Sequence, residues 1–223
     1  SGSPPRPGQI DGASLSIIRR ELREKGIVLP QECAAVIERV IHTTADFDYA
    51  QSLYFSEDAV HRGVQALSRG AHIITDTNMA YAGVSKPSLR KLGGEAHCFM
   101  ADEEVARAAK EHGTTRADAS MVRAAHEYPD AVFAVGNAPT ALLRLETLIN
   151  EGLRPAMIIA VPVGFVNVVE SKERIVKVCE SVGVPVIAAL GRKGGSNVAA
   201  AICNALLYTA AGTLEPSRRG WSG

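Results

Sequence analysis

Four short stretches rich in glycine or short polar residues, the types that bring backbone and side-chain donors close to a ligand, each come directly after an apolar run. Ile73-Ile74 is followed by Thr75-Asp76-Thr77-Asn78, and Phe133-Ala134-Val135 by Gly136-Asn137-Ala138-Pro139-Thr140. The run ending at Val161 leads into Pro162-Val163-Gly164-Phe165, and the one ending at Leu190 into Gly191-Arg192-Lys193-Gly194-Gly195-Ser196-Asn197. Several of these stretches open a helix. Pro139 suits a first helical turn, where its missing N–H would have no partner, with Asn137 or Ala138 as the expected cap. Gly194-Gly195-Ser196 lets the backbone come close to a ligand before the last helix begins. Helix N-termini offer unpaired N–H groups and partial positive charge, so several on one edge suit a ligand with several separated carboxylates. Each such contact contributes about 0.3–1 kcal/mol if exposed and up to about 2 if partly buried. Any one loop is equally well explained as ordinary turn and cap chemistry; four on one edge are less easily explained that way.

His42 is the histidine with the most distinctive setting. It follows Val40-Ile41 at the end of a helical pattern and precedes Thr43-Thr44. A helix C-terminus favours the imidazolium, and a nearby anionic ligand would complete a proton donor active near neutral pH. From position alone it is a capping, a core or an acid–base residue. His61, His112 and His126 lie among charged neighbours on helical patterns and read as surface residues, while His72 and His97 fall at strand starts.

Stepping outward, the elements that must position these loops alternate. Strands are expected at 71–75, 131–135, 156–161 and 184–190, with a weaker fifth at 96–100. These runs are largely apolar on both faces, as strands covered by helices on both sides are. Helical periods cover 14–25, 31–41, 56–68 behind a Ser56 cap, 103–111, 117–128, 139–150, 171–181 and 196–210. Strands alternating with helices imply parallel pairing through right-handed crossovers, hence a single three-layer α/β/α domain with a mostly parallel sheet. In such a sheet all four polar stretches lie at one edge, the carboxyl ends of the strands, where ligands bind. Residues 1–13 read as a flexible lead-in whose first residues look like a tag scar, 14–212 as the domain, and 213–223 as a tail.

Several function classes are disfavoured. Lysine plus arginine equals aspartate plus glutamate at 24 each, so no net field draws the chain to nucleic acid or membrane. No apolar run reaches the roughly 18 residues of a membrane span, and no signal peptide is evident, so a cytoplasmic location is expected. Cys33, Cys98, Cys179 and Cys203 are far apart and read as small core residues rather than disulfides or zinc ligands. The chain has neither G-x-x-x-x-G-K-[ST] nor G-x-G-x-x-G after a strand, and neither a G-x-S-x-G elbow nor an H-E-x-x-H helix. Nucleotide hydrolysis, hydride transfer and esterase chemistry are therefore poor fits.

Taken together, five stretches resemble the precorrin-8X methylmutase family: Val40-Ile41-His42-Thr43-Thr44; Gly136-Asn137-Ala138-Pro139-Thr140-Ala141-Leu142; Val161-Pro162-Val163-Gly164-Phe165-Val166; Glu170-Ser171-Lys172; and Gly191-Arg192-Lys193-Gly194-Gly195-Ser196. Thr114-Thr115-Arg116 and 73–80 are also similar, and the likeness spans about 14–210 in order. The lead-in departs from the pattern. The resemblance implies a flavodoxin-like domain, a homodimer with active sites near its interface, and a corrin-precursor substrate bearing acetate and propionate arms. It implies an isomerase of cobalamin biosynthesis that moves a methyl group from ring carbon eleven to twelve by a [1,5]-sigmatropic shift. No cofactor and no protein-bound metal are expected; cobalt, if present, belongs to the substrate, and 75–80 and 113–117 look nearer the cobalt-dependent branch. On this reading His42 donates a proton to a ring nitrogen and Arg116 clamps a carboxylate. Thr77, Asn137, Arg192, Lys193 and Ser196 contact substrate side chains, and Tyr54 and Tyr81 either line the macrocycle or pack in the core. A tetrapyrrole carrier without catalysis, or a flavodoxin-like binder of a phosphorylated ligand, are the alternatives.

Overall fold

Successive residues in each central strand point into two different apolar cores, which is what a sheet sandwiched between helices requires. In the computed structural model, which describes residues 3–4 and 7–213, the strands are β1 (Leu53–Phe55), β2 (Ile73–Thr75), β3 (Ala96–His97), β4 (Val132–Val135), β5 (Met157–Ala160) and β6 (Val186–Ala189). They form one sheet in the order β1-β6-β5-β4-β2-β3, parallel throughout except for β1 against β6. The parallel strands, numbered among themselves in chain order, run 2-1-3-4-5, the flavodoxin arrangement. The order reverses between β2 and β4, so a crevice opens beyond their carboxyl ends.

Ile73, Val132, Met157, Ile159 and Ile187 face one core. It is closed by α1 (Pro7–Glu24), α2 (Ala34–Thr44), the short α3 (Tyr49–Ser52), α4 (Ala59–Ser68), α5 (Asn78–Gly83), α6 (Lys86–Leu92) and α11 (Ser196–Ala210). Ile74, Phe133, Val135, Ile158 and Val186 face the second, closed by α8 (Arg116–Glu127), α9 (Pro139–Asn150) and α10 (Val168–Val182). α7 (Glu103–His112) packs on α8. α11 is apolar nearly all round because it lies beneath α2, α4 and α5, and its alanines let those helices approach.

The expected fold class holds, as do the exact extents of α9 and α11. Several details differ. α1 starts at Pro7, not at 14, so part of the expected lead-in is helical, with proline in the first turn where it is tolerated. The rest of that lead-in (1, 2, 5 and 6) and the expected tail beyond Thr213 lie outside the described residues. β1 has no counterpart in the expectations, since three residues carry too little periodicity to register. Ser56 does not cap a helix: its hydroxyl accepts from the Val186 N–H at 2.9 Å, and the helix begins only after Asp58, whose φ is 56°. Among the described residues no helix is long and apolar enough to cross a membrane. Cys33, Cys179 and Cys203 are buried and Cys98 half-buried, all as free thiols, and burial pushes Cys179 and Cys203 up to about 12.

The tightest backbone packing is at the carboxyl edge. A Cβ on Gly194 would lie 2.1 Å from the Val161 carbonyl oxygen, so only glycine lets the β6–α11 loop cross the end of β5. Gly194→Ala is expected to destabilise the fold by about 1–3 kcal/mol or more through forced backbone displacement. Urea unfolding should show a lowered midpoint at unchanged slope.

Candidate active site at the carboxyl edge

Asp76 ends β2 and is fully buried. Its Oδ1 accepts from the Gly136 N–H at 2.8 Å, and its Oδ2 accepts from Asn137 and Ala138 at 2.9 and 2.8 Å. Burial pushes this carboxyl up from its ordinary range while the three amide donors pull it down. Both oxygens act only as acceptors, which is the ionised form. Ala138, the residue preceding α9, provides no side-chain cap, and Asp76 holds the turn that leads into that helix from across the switch point. The amides of the turn leading into α9 are thus taken by the protein's own carboxylate. A buried, ionised Asp76 is tolerated in this wall only because those three donors serve it.

Around this anchor the other loops close in. Gly136 packs so tightly against the backbone of Gly195 and Ser196 that a Cβ would sit 2.8 Å from Ser196 Cα. Thr77 caps α5 by accepting from the Ala80 N–H at 3.0 Å, and its hydroxyl meets Ser196 Oγ at 2.7 Å. α10 and α11 start without a side-chain cap from Asn167 or Gly195. Those two helix ends keep the electrostatics expected of an anion-binding edge.

The β6–α11 loop is held from two sides. Lys172 in α10 is fully buried and donates from Nζ to the carbonyl oxygens of Gly191 at 2.8 Å and Lys193 at 2.9 Å. Burial pushes its ammonium down to about 8. On the outside, Lys193 Nζ pairs with Asp46 at 2.6 Å and Asp48 at 2.8 Å. This raises the lysine and lowers Asp46, largely through the hydrogen bond between them. Asp46 lies just beyond α2, so the pair brings the end of that helix, and with it His42, to the same edge.

His42 sits in the last turn of α2, which continues to Thr44. Its Nδ1 lies 3.5 Å from Arg39 Nη1 and its Nε2 3.9 Å from Asp11 Oδ1 of α1. A guanidinium only donates, so this contact, long as it is, leaves the ring proton of a neutral His42 on Nε2. Arg116 is exposed at the start of α8, beside α9, where Thr115 and Thr140 hydroxyls meet at 3.0 Å. Arg192 is exposed and stacks on Phe165 at 5.2 Å. The same edge carries exposed apolar side chains: Met79, Val163, Phe165, Val166 and Leu190.

The structure therefore brings Thr77, Asn137 and Ser196 together around the switch point, with Arg192 and Lys193 in the adjoining loop. His42 and Arg116 stand on flanking helix ends. Lys193 is already occupied by two aspartates, and Asn137 gives its backbone N–H to Asp76 while its side chain stays exposed. Tyr54 is different. Its hydroxyl donates to Glu180 near the end of α10 at 2.8 Å, which takes it away from the loops and removes it from a macrocycle-lining role. Tyr81, on α5, is partly exposed beneath the Lys86 ammonium at 4.1 Å. The sequence alone assigns no role to Asp76, Lys172 or Asp11. Lys172 shares the apolar face of its helix with Val168, Ile175 and Cys179, a signal that was legible. Asp11 had none.

The fold is a flavodoxin-order α/β domain whose strand ends carry exposed apolar side chains beside arginines and two helix N-termini. The family model for precorrin-8X methylmutase matches residues 9–209, and this chain belongs to that family. It is 44% identical over 207 residues to the cobalt-precorrin-8 methylmutase of Salmonella typhimurium, covering 91% of this chain and 95% of the relative. Identity to the precorrin-8X methylmutase of Pseudomonas aeruginosa is 38% over 203 residues, covering 90% and 95%. The crystal structure of precorrin-8X methylmutase from Thermus thermophilus superposes with a TM-score of 0.81 at 37% identity, covering 91% of this chain and 98% of that one. Methylmutases are isomerases, and this chain is an enzyme of that class.

Two anchors are testable. Asp76→Ala leaves three amides without their acceptor and should cost at least about 3 kcal/mol in urea unfolding. Asp76→Asn should not restore it, because its NH2 group faces donors. For Lys172, the unfolded chain holds the proton up to about 10.5 but the folded chain only to about 8, so stability rises with pH across that window. The wild-type urea midpoint should climb relative to that of Lys172→Met between those pH values, by up to about 3 kcal/mol in stability.

Proposed function

We propose that the carboxyl edge binds a corrin precursor and moves one of its methyl groups from ring carbon eleven to ring carbon twelve, giving hydrogenobyrinic acid or cobyrinic acid in cobalamin biosynthesis. The observation that carries this reading is the pairing, on one edge of a family member, of exposed apolar residues with arginines and helix N-termini. A flat macrocycle ringed by acetate and propionate arms needs both. The relatives bearing the cobalt-precorrin-8 name, at 41% and 44% identity, support the cobalt-containing substrate over the metal-free one.

The shift is intramolecular, so it consumes no electrons and transfers no group to the protein; we propose no cofactor for it. In this reading His42 donates from Nε2 to a ring nitrogen, and the positive charge created there lowers the barrier to methyl migration. Acid catalysis of this kind contributes about 10²–10⁴-fold. Arg116 and Arg192 pair with substrate carboxylates, for which a guanidinium offers two parallel donors. Thr77, Ser196 and the Asn137 side chain hydrogen-bond to further arms. Lys193 acts through the loop it fastens to Asp46. The rest of the acceleration comes from holding the macrocycle close to its reacting shape, for which the tightly packed glycine loops supply a rigid cradle. Exposed Phe165 and Val166, 79% and 78% accessible, support a homodimer that covers part of this edge, and the setting is the cytoplasm.

The test is spectroscopic. Cobalt-precorrin-8 and metal-free precorrin-8X, each mixed with the protein, should change absorption to that of the corrin product, the cobalt form faster. His42→Asn should bind with similar affinity and turn over about 10²–10⁴-fold more slowly. Binding without spectral change in the wild type would instead make the protein a carrier, and full activity in His42→Asn would remove the histidine from the mechanism.

A further inference from the structure

At the far end of the sheet from these loops, three potential metal ligands converge on one face. Ile74 is in register with His97 across the parallel β2–β3 pair, and side chains two residues apart in a strand share a face. His72, immediately before β2, and Glu95, immediately before β3, therefore project to the same side as His97. His72 Nδ1 lies 3.0 Å from His97 Nε2, and His97 Nε2 lies 3.8 Å from Glu95 Oε2. One ligand atom from each falls within 4.8 Å of the others.

Two imidazole nitrogens bound about 2.0–2.1 Å from one ion, at angles between octahedral and tetrahedral, stand about 2.9–3.4 Å apart. The observed 3.0 Å is inside that range before any side chain moves. Both rings are held in place: the Tyr128 ring stacks on His97 at 4.2 Å and on His72 at 4.8 Å, and Phe99 stacks on His97 at 6.1 Å. Burial, with His72 next to it, pushes His97 down, which favours the neutral ring a metal needs. Glu95 is 70% exposed and reaches the pair from the solvent side. His72 and Tyr128 also form part of the wall of a cleft of about 580 Å³, which includes Arg69, Glu127 and Asp130.

We propose that His72, Glu95 and His97 form a site for a divalent transition ion of the zinc class, with water in the fourth position. Two imidazoles, a carboxylate and an open position match the donor set and coordination number that such ions take. In the metal-free form one ring donates its N–H to the other. Binding requires only that this ring move its proton to its other nitrogen through solvent, with no net proton release. The ion joins the segment before β2 to β3, a two-residue strand at the edge of the sheet, and so staples the least supported strand to its neighbour. This site is separate from the isomerase reading and does not rest on it.

Full-length protein stripped with a chelator is titrated with zinc chloride by calorimetry and with cobalt chloride by visible absorption. One equivalent should bind, with ligand-field bands of low-coordinate Co2+ and no sulfur charge-transfer band. Zinc at about a hundred times its Kd should raise Tm by about 5–10 °C. His72→Ala and His97→Ala should abolish these effects. Glu95→Gln, at an exposed position where folding is not at stake, should weaken binding tenfold or more. The proposal is overturned by the absence of a saturable one-to-one event, by a sulfur band, which would implicate Cys98, or by unchanged binding in Glu95→Gln and the histidine variants, which would point to exposed His61, His112 or His126.

Discussion

The carboxylate of Asp76, buried and accepting from three successive backbone amides, is the interaction on which the carboxyl edge depends. A charge without water needs several donors, and the start of α9 is where a parallel sheet can supply them. Meeting that need fastens the end of β2 to the turn after β4, across the point where strand order reverses. Once those two turns are fixed, the backbone of Gly136 presses against Gly195 and Ser196, and the Thr77 and Ser196 hydroxyls come within 2.7 Å.

A second pair of anchors sets the opposite wall. Lys172 reaches from inside to the Gly191 and Lys193 carbonyls, while Lys193 reaches outward to Asp46 and Asp48. The inner lysine is the better shielded restraint, because it is fully buried while Lys193 is half exposed. The outer pair is exposed and screened, so its value is geometric more than energetic. Between them the loop bearing Arg192 keeps one shape, and the end of α2 is kept near it. An isomerase benefits from such a preset cradle, since a displacement of about 1 Å can cost 10²-fold in rate.

The layered architecture was readable because alternating apolar runs and helical periods leave few other ways to bury both faces of each strand. The four loops were readable for the same reason: each follows a strand that has to end at one edge. The burial of Lys172 was also within reach, as its helical spacing from Val168, Ile175 and Cys179 puts it on an apolar face. What escaped were features whose cause lies far away in the chain. β1 is a strand because β6 offers it an edge, and three residues of its own do not announce it. Ser56 serves the Val186 amide, 130 residues distant, in place of its own helix. Tyr54 turns toward Glu180 because its register opposite Ala188 puts it on the α10 face of the sheet, which no local pattern encodes.

By itself, then, the order of residues determined the fold class, the edge on which chemistry can occur and, through a family resemblance, the kind of reaction. Hydrophobic periodicity and turn chemistry are local properties, and they survive in the linear chain. The tertiary structure alone decided which polar groups remain for a ligand. Pairing depends on distances between segments 60 to 150 residues apart, as between Asp76 and Gly136 or Lys193 and Asp46. It gave the three amides before α9 to a buried aspartate, and set Asp11 of the first helix beside His42. It also assembled His72, Glu95 and His97 from two neighbouring strands, because only parallel pairing in register puts side chains from separate segments on one face.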